Sequence, residues 1–454
     1  MLLFSGLMPV CAAPVDTTVA KQAAVVFCQR HRNLSENPQL TYTQTIQIQG
    51  EEVPAFYVFS LDNGFVIISA DDAAEPVLGY SDKGRFDSNQ MPGNLKYFLN
   101  GYAREIGVLK EYDAPSKWEN AFDGQPKDTL TGVIVGPLLT TRWSQDTLYN
   151  DMCPVDSAGP NGHVYTGCVA TAMAQVIRYW EYPTVGEGEY GYEHNYEGVM
   201  DGCGNYGYIY ANFGNTTYDY AHMPDVLDEN STAEEVAAVA TLMFHCGVSV
   251  NMMYGVEGSA AIGIMSAKAL RTYFRYPSNV KALSRDNYTF QEWKEMVNHE
   301  LDEQAPVLYG GSDEAGGHAF VCDGYSDDEY YHINWGWEGR CNGYYRLSLL
   351  NPSIYYFTSG QHMIVNVRPV PVNVVDNPKP CLDIYPNPVQ DQLTIQHSTA
   401  MNRVQIFDIY GKLLQSEELD GTSTSLNVSG LASGTYIVRI TDDQNVVVRK
   451  FIKK

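Results

Sequence analysis

The chain has 454 residues, which is too long for one ordinary domain and predicts two to four. Its formal net charge of −25 argues against a nucleic-acid partner, because phosphate binding needs clustered lysine and arginine. The acidity suits a soluble protein that works outside the cell, although solubility alone would also explain it. Apart from the amino terminus, the sequence offers no candidate for a membrane helix.

The amino terminus reads MLLFSGLMPVCAAP, a short apolar run that ends in small residues. Such a run is typical of a secretory signal peptide, with cleavage expected near Ala12 or Ala13. It lacks the usual basic start, and the residues before Cys11 match a lipoprotein signal poorly. We therefore assign residues 1–13 to a signal peptide and expect an exported protein.

Nine cysteines are spread irregularly along the chain, and none forms a CxxC pair. A zinc site is therefore not expected, and no other cofactor is predicted. Export would permit disulfides, but the odd count and irregular spacing do not predict a pairing.

Residues 14–128 are predicted to form a separate α+β domain. An amphipathic helix, VAKQAAVVFCQR, precedes three short strands, AFYVFSL, GFVIISA and PVLGYS, and a second helix, MPGNLKYFLNGYAREI. Asn63-Gly64 lies between the first two strands and favours a hairpin. The polar stretch that follows lacks periodicity, so we expect an exposed cleavage segment there, between Asp123 and Thr131.

Residues 129–370 are rich in glycine, tyrosine and tryptophan, and their helices come before their strands. Helices are predicted at 168–180, 233–247, 261–274 and 290–303. Strands are predicted in PVLYGGS, HAFVCDGY, YYHINWGW and GYYRLSLL. This order predicts an α+β fold, with a helical half and an antiparallel sheet half, rather than alternating βαβ units.

The chain changes character near residue 370. Residues 371–380 belong to a proline-rich stretch that predicts an extended linker. Residues 381–454 contain the short strands LTIQ, VQIFDIYG, TYIVRIT and VVVRKFI, separated by turns. This pattern predicts a small antiparallel β-sandwich.

The stretch TGCVATAMAQVIRYW places Cys168 at the start of a predicted helix. A cysteine is a useful nucleophile only as a thiolate, which a helix N-terminus and a nearby imidazolium both favour. Taken alone, most cysteines are ordinary buried thiols. However, GGHAFVCDGY places His318 at the start of an apolar strand roughly 150 residues downstream, which is the order and separation of papain-type proteases.

A catalytic histidine needs a group that orients its far ring nitrogen. The segment HINWGWEG follows the strand of His318, so Asn334 or a carbonyl beside Trp335 could supply that group. Trp335 and Trp337 could shield the catalytic pair from water. The alternative is that both tryptophans are simply core aromatics.

Gln145 lies roughly twenty residues before Cys168, where a glutamine amide can donate a hydrogen bond to an oxyanion. This interpretation depends on its position ahead of the cysteine helix, because a glutamine by itself carries no information. Four glycines near the histidine are candidates for the substrate groove: Gly310, Gly311, Gly316 and Gly317.

Four segments, WSQDTLYND, TGCVATAMAQVIRYWEYP, GGHAFVCDGY and HINWGWEGRCNGYYRLSLLNP, resemble in this order the core of the streptopain-like C10 family of secreted bacterial cysteine proteases. The resemblance spans the predicted catalytic domain and implies a papain-like fold. It implies Cys168 as the nucleophile, His318 as the general base and Gln145 in the oxyanion hole, with Trp335 and Trp337 around the histidine. The group that orients His318 stays open, because the family departs from papain in this tryptophan-rich segment.

The two flanking regions carry resemblances of their own. The segments FYVFSLDNGFVIISADDAAEPVLGYSDKGRF and MPGNLKYFLNGYAREI resemble the pro-domain of the same family, which implies a zymogen inhibited by its own pro-domain. The segments LDIYPNPVQDQLTI, VQIFDIYGKLL, LASGTYIVRI and VVVRKFIKK resemble the C-terminal sorting domain of type IX secretion substrates. The alternatives are an unrelated binding domain at the front and a carbohydrate-binding or adhesion sandwich at the end.

These features predict a secreted cysteine endopeptidase, made as a zymogen, that hydrolyses host or environmental proteins through a Cys-His dyad and an acyl-enzyme. The expected partners are protein or peptide substrates, the protein's own pro-domain and the type IX secretion machinery, with a final location outside the cell or on the outer membrane. Two alternatives remain open: a papain-like amidase or transferase, and a non-catalytic surface adhesin.

Overall fold

A computed structural model describes residues 12–32, 37–111, 115–118, 122, 133–199, 202–313, 316–348, 360–369, 382–408, 412–441 and 446–454. The chain divides into two compact units, Met1–Pro369 and Val370–Lys454. Most of the predicted signal peptide, the predicted linker and the predicted activation junction lie outside the described residues. Of the helices in the described ranges, none is long and apolar enough to cross a membrane.

The predicted pro-domain consists of a helix, four strands and a second helix. In chain order they are α1 (Thr17–Arg32), β1 (Gln39–Ile48), β2 (Glu51–Ser60), β3 (Phe65–Ser69), β4 (Val77–Ser81) and α2 (Gly93–Glu111). Both predicted helices and all three predicted strands are confirmed. The prediction missed β1, because its sequence QLTYTQTIQI is dominated by threonine and glutamine and none of its residues is fully buried.

The predicted hairpin between β2 and β3 is also confirmed. Its loop has four residues, and the backbone N–H of Leu61 donates to the carbonyl of Gly64 at 3.1 Å. Gly64 has a φ of +105°, and a Cβ at this position would lie 1.9 Å from the carbonyl oxygen of Ser81. Only glycine fits this turn.

The predicted catalytic domain has its helices mostly ahead of its main strands, as expected. Its elements are β5 (Val133–Val135), α3 (Cys168–Trp180), β6 (Glu189–Asn195), β7 (Asn205–Asn212), α4 (Ala233–Ser249), α5 (Met265–Tyr273), β8 (Lys281–Ser284), α6 (Phe290–Asp302), β9 (Val307–Asp313), β10 (Gly316–Ser326), β11 (Tyr331–Asn334), β12 (Gly343–Tyr345) and β13 (His362–Val365). The predicted α+β class is confirmed. The β6–β7 hairpin and the short strands β5, β8 and β13 were not predicted.

One antiparallel sheet runs through both of these regions. Its strand order is β1-β2-β3-β4-β12-β11-β10-β9-β13-β8, and β5 pairs with the end of β10. The junction is the pairing of β4 with β12, in which Tyr80 lies opposite Tyr344 and Gly79 opposite Tyr345. The predicted pro-domain is therefore an extension of the catalytic sheet.

Side chains of β10 alternate between two hydrophobic cores on opposite faces of this sheet. Ala319 and Val321 belong to the core that contains α3, α4 and α5. Phe320 and Cys322 belong to the other core, to which α2 and α6 contribute. Because side chains alternate along a strand, β10 lies between the cysteine helix on one face and the pro-domain helix α2 on the other.

The second unit is a five-stranded antiparallel sheet. Its strands are β14 (Leu382–Tyr385), β15 (Gln392–Phe407), β16 (Leu413–Asn427), β17 (Gly434–Thr441) and β18 (Val446–Lys453). The long strand β15 pairs with β16 along one edge and with β14 and then β17 along the other. A parallel bridge between Val389 and Lys453 brings β18 back toward the start of the unit. The sheet thus curls around its own core, as expected for a small sandwich-like domain.

Candidate active site

Cys168 is the first residue of α3, as predicted. Gly167 caps the helix with a φ of +89°, and a Cβ there would lie 2.7 Å from the sulfur of Met252. Glycine is therefore required both by the backbone conformation and by the close approach of Met252. This turn brings the chain abruptly into the helix and places the thiol at its N-terminal end.

The Cys168 thiol lies against the strand that carries the predicted base. Its Sγ accepts a hydrogen bond from the backbone N–H of Ala319 at 3.4 Å. Burial raises the pKa of Cys168 above its ordinary value, while the backbone N–H groups of Ala319 and Val169 act in the opposite direction. Burial of the thiol therefore disfavours the thiolate, and these backbone N–H groups offset only part of that effect.

His318 is half-buried, and its ring contacts the first turns of α2. The ring centroids of His318 and Tyr97 are 5.5 Å apart, and a Cβ on Gly93 would lie 3.4 Å from Cε1 of the imidazole. The backbone N–H of Ala319, next to His318, therefore contacts Cys168, while the imidazole of His318 contacts the predicted pro-domain.

Asn94, in the same turn of α2, is buried and crosses to the catalytic strands. Its Nδ2 donates to the carbonyl of Ala319 at 3.3 Å and to the carbonyl of Trp335 at 2.5 Å. One side chain of the predicted pro-domain thereby bonds to β10, which carries His318, and to the tryptophan segment that follows β11. The carbonyl of Trp335, a candidate for orienting His318, is engaged by Asn94 in this structure.

Gln145 is 4 % exposed, and its carbonyl accepts the backbone N–H of Thr166 at 3.0 Å. This bond ties Gln145 to the residues just ahead of Cys168. Its side-chain Nε2 is buried and has no hydrogen-bond partner in the part of the chain that the structure describes. An unused buried donor is costly, and it is the feature expected of a group that waits for an oxyanion.

Asn334 lies in a buried hydrogen-bond network that includes Thr141 and Gln175. Its Nδ2 donates to the carbonyl of Thr141 at 2.8 Å and to Oε1 of Gln175 at 3.2 Å. Its Oδ1 accepts the backbone N–H of Gly336 at 3.0 Å. These bonds commit Asn334 to joining α3 to the tryptophan segment, so support of His318 by its side chain stays a prediction.

The two tryptophans differ in their surroundings. Trp335 is fully buried and packs edge-on against Phe98 of α2, at a centroid distance of 5.4 Å. Its Nε1 donates to the carbonyl of Cys341 at 3.0 Å. Trp337 is half-buried, with its ring 6.2 Å from that of Tyr165, three residues ahead of Cys168. Trp335 is thus a core residue here, while Trp337 lies on the cysteine side.

Two of the predicted groove glycines have covered surfaces. A Cβ on Gly310 would lie 2.7 Å from the ring of His362, which fills that space. A Cβ on Gly311 would lie 3.0 Å from the hydroxyl oxygen of Tyr97. Gly316 and Gly317 pair across the β9–β10 hairpin with Asp313 and Ser312, respectively. Gly311 is therefore the candidate that the predicted pro-domain covers directly.

Sequence reasoning missed Asn94, Tyr97 and Gln175. Asn94 and Tyr97 are three residues apart on a predicted helix, which places them on one face. Gln175 is the single polar amide in the otherwise apolar run of α3, and a buried polar residue of this kind normally has a bonded partner. Both signals were present, although neither identifies the partner.

Three family models match successive parts of the chain. Residues 12–106 match the Spi protease inhibitor, 143–345 match the Peptidase C10 family, and 383–454 match the secretion system C-terminal sorting domain. The inhibitor match covers α1, β1 to β4 and most of α2, the helix that packs on His318 and Trp335. The sorting-domain match covers the separate five-stranded unit and indicates export through the type IX system, to the cell surface or beyond.

Individual relatives agree with these matches. The thiol protease/hemagglutinin PrtT of Porphyromonas gingivalis is 33 % identical over 87 % of this chain, which spans about half, 46 %, of that relative. Streptopain of Streptococcus pyogenes is 29 % identical over 77 % of this chain and 91 % of its own length. The solved prointerpain A fragment of Prevotella intermedia is 36 % identical, covers 73 % of this chain and all of that one, and superposes with a TM-score of 0.59. The chain therefore belongs to the peptidase C10 family of cysteine proteases, as a zymogen with an attached secretion sorting domain.

Proposed function

We propose that this protein is a secreted cysteine endopeptidase in which Cys168 is the nucleophile and His318 the general acid and base. The observation that carries the proposal is the position of Cys168 at the first turn of α3, with its sulfur 3.4 Å from the backbone of the residue that follows His318. A thiol at a helix N-terminus next to a histidine-bearing strand is an arrangement suited to acyl transfer.

In the first half of the reaction, His318 takes the thiol proton and the Cys168 thiolate attacks the scissile carbonyl carbon. The carbonyl oxygen becomes an oxyanion, which the unused Nε2 of Gln145 and the backbone N–H of Cys168 would stabilise. Collapse of this intermediate breaks the C–N bond, and His318 donates its proton to the leaving amine. The product of this half is a thioester on Cys168.

In the second half, a water molecule enters and His318 removes one of its protons. The resulting hydroxide attacks the thioester, and the same donors stabilise the second oxyanion. Release of the carboxylic acid returns the thiol to Cys168. Net consumption is one water per peptide bond, and the reaction needs no metal or organic cofactor.

The zymogen is held inactive by α2 of the pro-domain. Tyr97 and Gly93 pack on the imidazole of His318, and Asn94 bonds to the carbonyls of Ala319 and Trp335. Burial also raises the pKa of the Cys168 thiol, which disfavours the thiolate in this state. Cleavage in the predicted segment between the two domains would release α2, free His318 to turn toward Cys168 and open the surface over Gly311.

The assignment of the nucleophile is tested by incubating the purified full chain with casein and following its fragments by mass spectrometry. Cys168→Ala should abolish both casein cleavage and self-processing, while Cys246→Ala, which removes a buried thiol on α4, should retain both. Casein fragmentation by the Cys168→Ala protein would refute the proposal. Cross-linked casein in place of fragments would indicate a transferase instead.

Gln145→Ala should lower kcat by about 100- to 1,000-fold with little change in KM, because the lost amide contacts only the oxyanion of the transition state. Steady-state kinetics on a chromogenic peptide measure both constants. Trp180→Phe, in which an indole nitrogen outside the site is removed, provides the control. An unchanged kcat in Gln145→Ala would exclude Gln145 from the oxyanion hole.

A further inference from the structure

The backbone that leads into Cys168 lies on a loop formed by residues 252–260. The backbone N–H of Tyr165 donates to the carbonyl of Gly255 at 3.3 Å, and the hydroxyl of Ser259 donates to the carbonyl of Tyr165 at 2.6 Å. The Gly167 position is in close contact with the side chain of Met252. The 252–260 loop therefore contacts Tyr165 and Gly167, two of the three residues that precede the nucleophile.

The 252–260 loop is in turn fixed by strand β6. The hydroxyl of Tyr192 donates to the carbonyl of Met252 at 2.6 Å. Two residues further along β6, the Nε2 of His194 accepts the backbone N–H of Tyr254 at 2.7 Å. His194 is fully buried, so water cannot replace it as the partner of this N–H group.

The bond to Tyr254 defines the state of the His194 ring. Since Nε2 is the acceptor, this nitrogen carries no proton and the imidazole is neutral. Burial lowers the pKa of His194, which favours the same neutral form. Four tyrosine rings surround the imidazole: Tyr192, Tyr196, Tyr206 and Tyr254. The hydroxyl of Tyr206 donates to a carboxylate oxygen of Asp156.

We propose that His194 is a positioning residue for the reaction at Cys168, and that it acts by accepting the Tyr254 N–H and so holding the 252–260 loop against Tyr165. This inference rests on the proposed role of Cys168. Displacing the loop would shift the turn at Gly167 and with it the sulfur. Since attack on a carbonyl requires close alignment, a shift of about 1 Å can lower the rate by about 100-fold.

The inference predicts different effects on kcat for two substitutions of His194. His194→Gln keeps an acceptor oxygen near the position of Nε2, whereas His194→Leu removes the acceptor and leaves the Tyr254 N–H buried without a partner. We expect His194→Leu to lose about 10- to 100-fold in kcat with KM little changed. His194→Gln should recover most of this loss.

The experiment uses each full chain after added subtilisin has cut its pro-domain. The subtilisin is then inactivated with a serine-protease inhibitor, and mass spectrometry of the intact protein confirms the cut. Functional Cys168 is titrated with a peptidyl epoxide, and kcat is expressed per titrated thiol. This normalisation matters because a purely structural defect lowers the number of active molecules but not the turnover of each one. His245→Gln, which changes another buried imidazole, is the matched control and should keep full turnover.

A loss in His194→Leu that His194→Gln restores supports the inference. Turnover of His194→Leu within about two-fold of wild type, or an equal loss in both variants, overturns it. If His194→Leu does not fold, Tyr192→Phe removes the neighbouring bond to Met252 and should lower kcat in the same direction, while unchanged turnover counts against the inference. Hydrolysis that survives Cys168→Ala would instead end the proposed function itself.

Discussion

The pro-domain and the sorting domain flank the same enzyme but are built differently. The pro-domain adds β1 to β4 to the catalytic sheet, and its helix α2 completes a core shared with catalytic strands. The sorting domain forms a sheet of its own around a core of its own. The difference indicates that an inhibitory domain binds its target more tightly when the two share a core, whereas a sorting domain has to fold by itself to be recognised by the secretion machinery.

The shared core has a direct thermodynamic consequence. Phe98 of α2 lies within aromatic contact of Phe320, Trp335 and Tyr345, all of which belong to catalytic strands or to the segment after them. Folding of the zymogen should therefore be one cooperative event that includes both regions. The sorting domain should unfold in a transition of its own.

The largest expected effect comes from Phe98→Ala on the Cys168→Ala background, which prevents self-processing. Truncating this buried ring should lower the free energy of unfolding of the zymogen by about 3–5 kcal/mol. Urea denaturation followed by tryptophan fluorescence measures the change.

Ile406→Ala is the matched truncation in the sorting domain, where Ile406 is fully buried. It should destabilise that domain by about 2–5 kcal/mol, measured by far-UV circular dichroism because all six tryptophans precede residue 338, and leave the fluorescence transition of the zymogen unit in place. If both truncations shifted the same single transition, the contrast between the two flanking domains would be wrong.

The next effect is a dependence on pH confined to the unit that contains the enzyme. His245 on α4 is buried beside Tyr218, and burial lowers its pKa to about 4. Because the unfolded chain binds the proton more readily, stability is complete above about pH 6.5 and falls as the pH drops toward 4, by roughly 3 kcal/mol in total.

Urea denaturation at a series of pH values measures this dependence. His245→Gln should reduce its slope between pH 6.5 and 4, because one titrating group is gone while His194 and His362, whose pKa values burial also lowers, remain. A profile of the same slope in that variant would assign the acid sensitivity to other groups.

A smaller effect is expected from Asn94→Ala. The substitution removes the donor from two buried carbonyls, those of Ala319 and Trp335, and should weaken pro-domain binding by about 1–3 kcal/mol. The measurement is the rate at which the zymogen with an intact Cys168 gains activity toward a peptide, which should rise.

The exposed Asn89→Ala, five residues earlier, is the control and should activate at the wild-type rate. If Asn94→Ala remained as latent as wild type, inhibition would depend on the aromatic contacts of α2 alone.

Much of the site could be predicted because it depends on local signals. Cys168 begins a helix since the apolar run after Gly167 has helical spacing, and His318 lies near the start of β10 since an apolar run follows two glycines. The packing of the imidazole against α2 could not be predicted. It depends on Gly93 and Tyr97, which lie more than 200 positions before His318, and no short-range pattern specifies such a contact.

The same distinction applies to the supporting residues. The sequence offers Asn334 as one candidate to orient the histidine, and its amide also bonds to Gln175 across 159 positions, a contact that spacing does not predict. The ring of His362 fills the space over Gly310 because β13 pairs with β9, and the short sequence of β13 does not predict that neighbour. Sequence spacing suggests which groups react, while tertiary packing determines which neighbours contact them.

The proposed maturation would also change the edge of the sheet. If β4 is removed, the backbone amides and carbonyls of β12 that face it become open to solvent, and exposed strand edges can pair with other chains. Gly343, Tyr344 and Tyr345 form β12, so the newly exposed edge would be about 10 Å long. An edge this short offers few hydrogen bonds to another chain, so the loss of four strands would leave the sheet with little tendency to pair there.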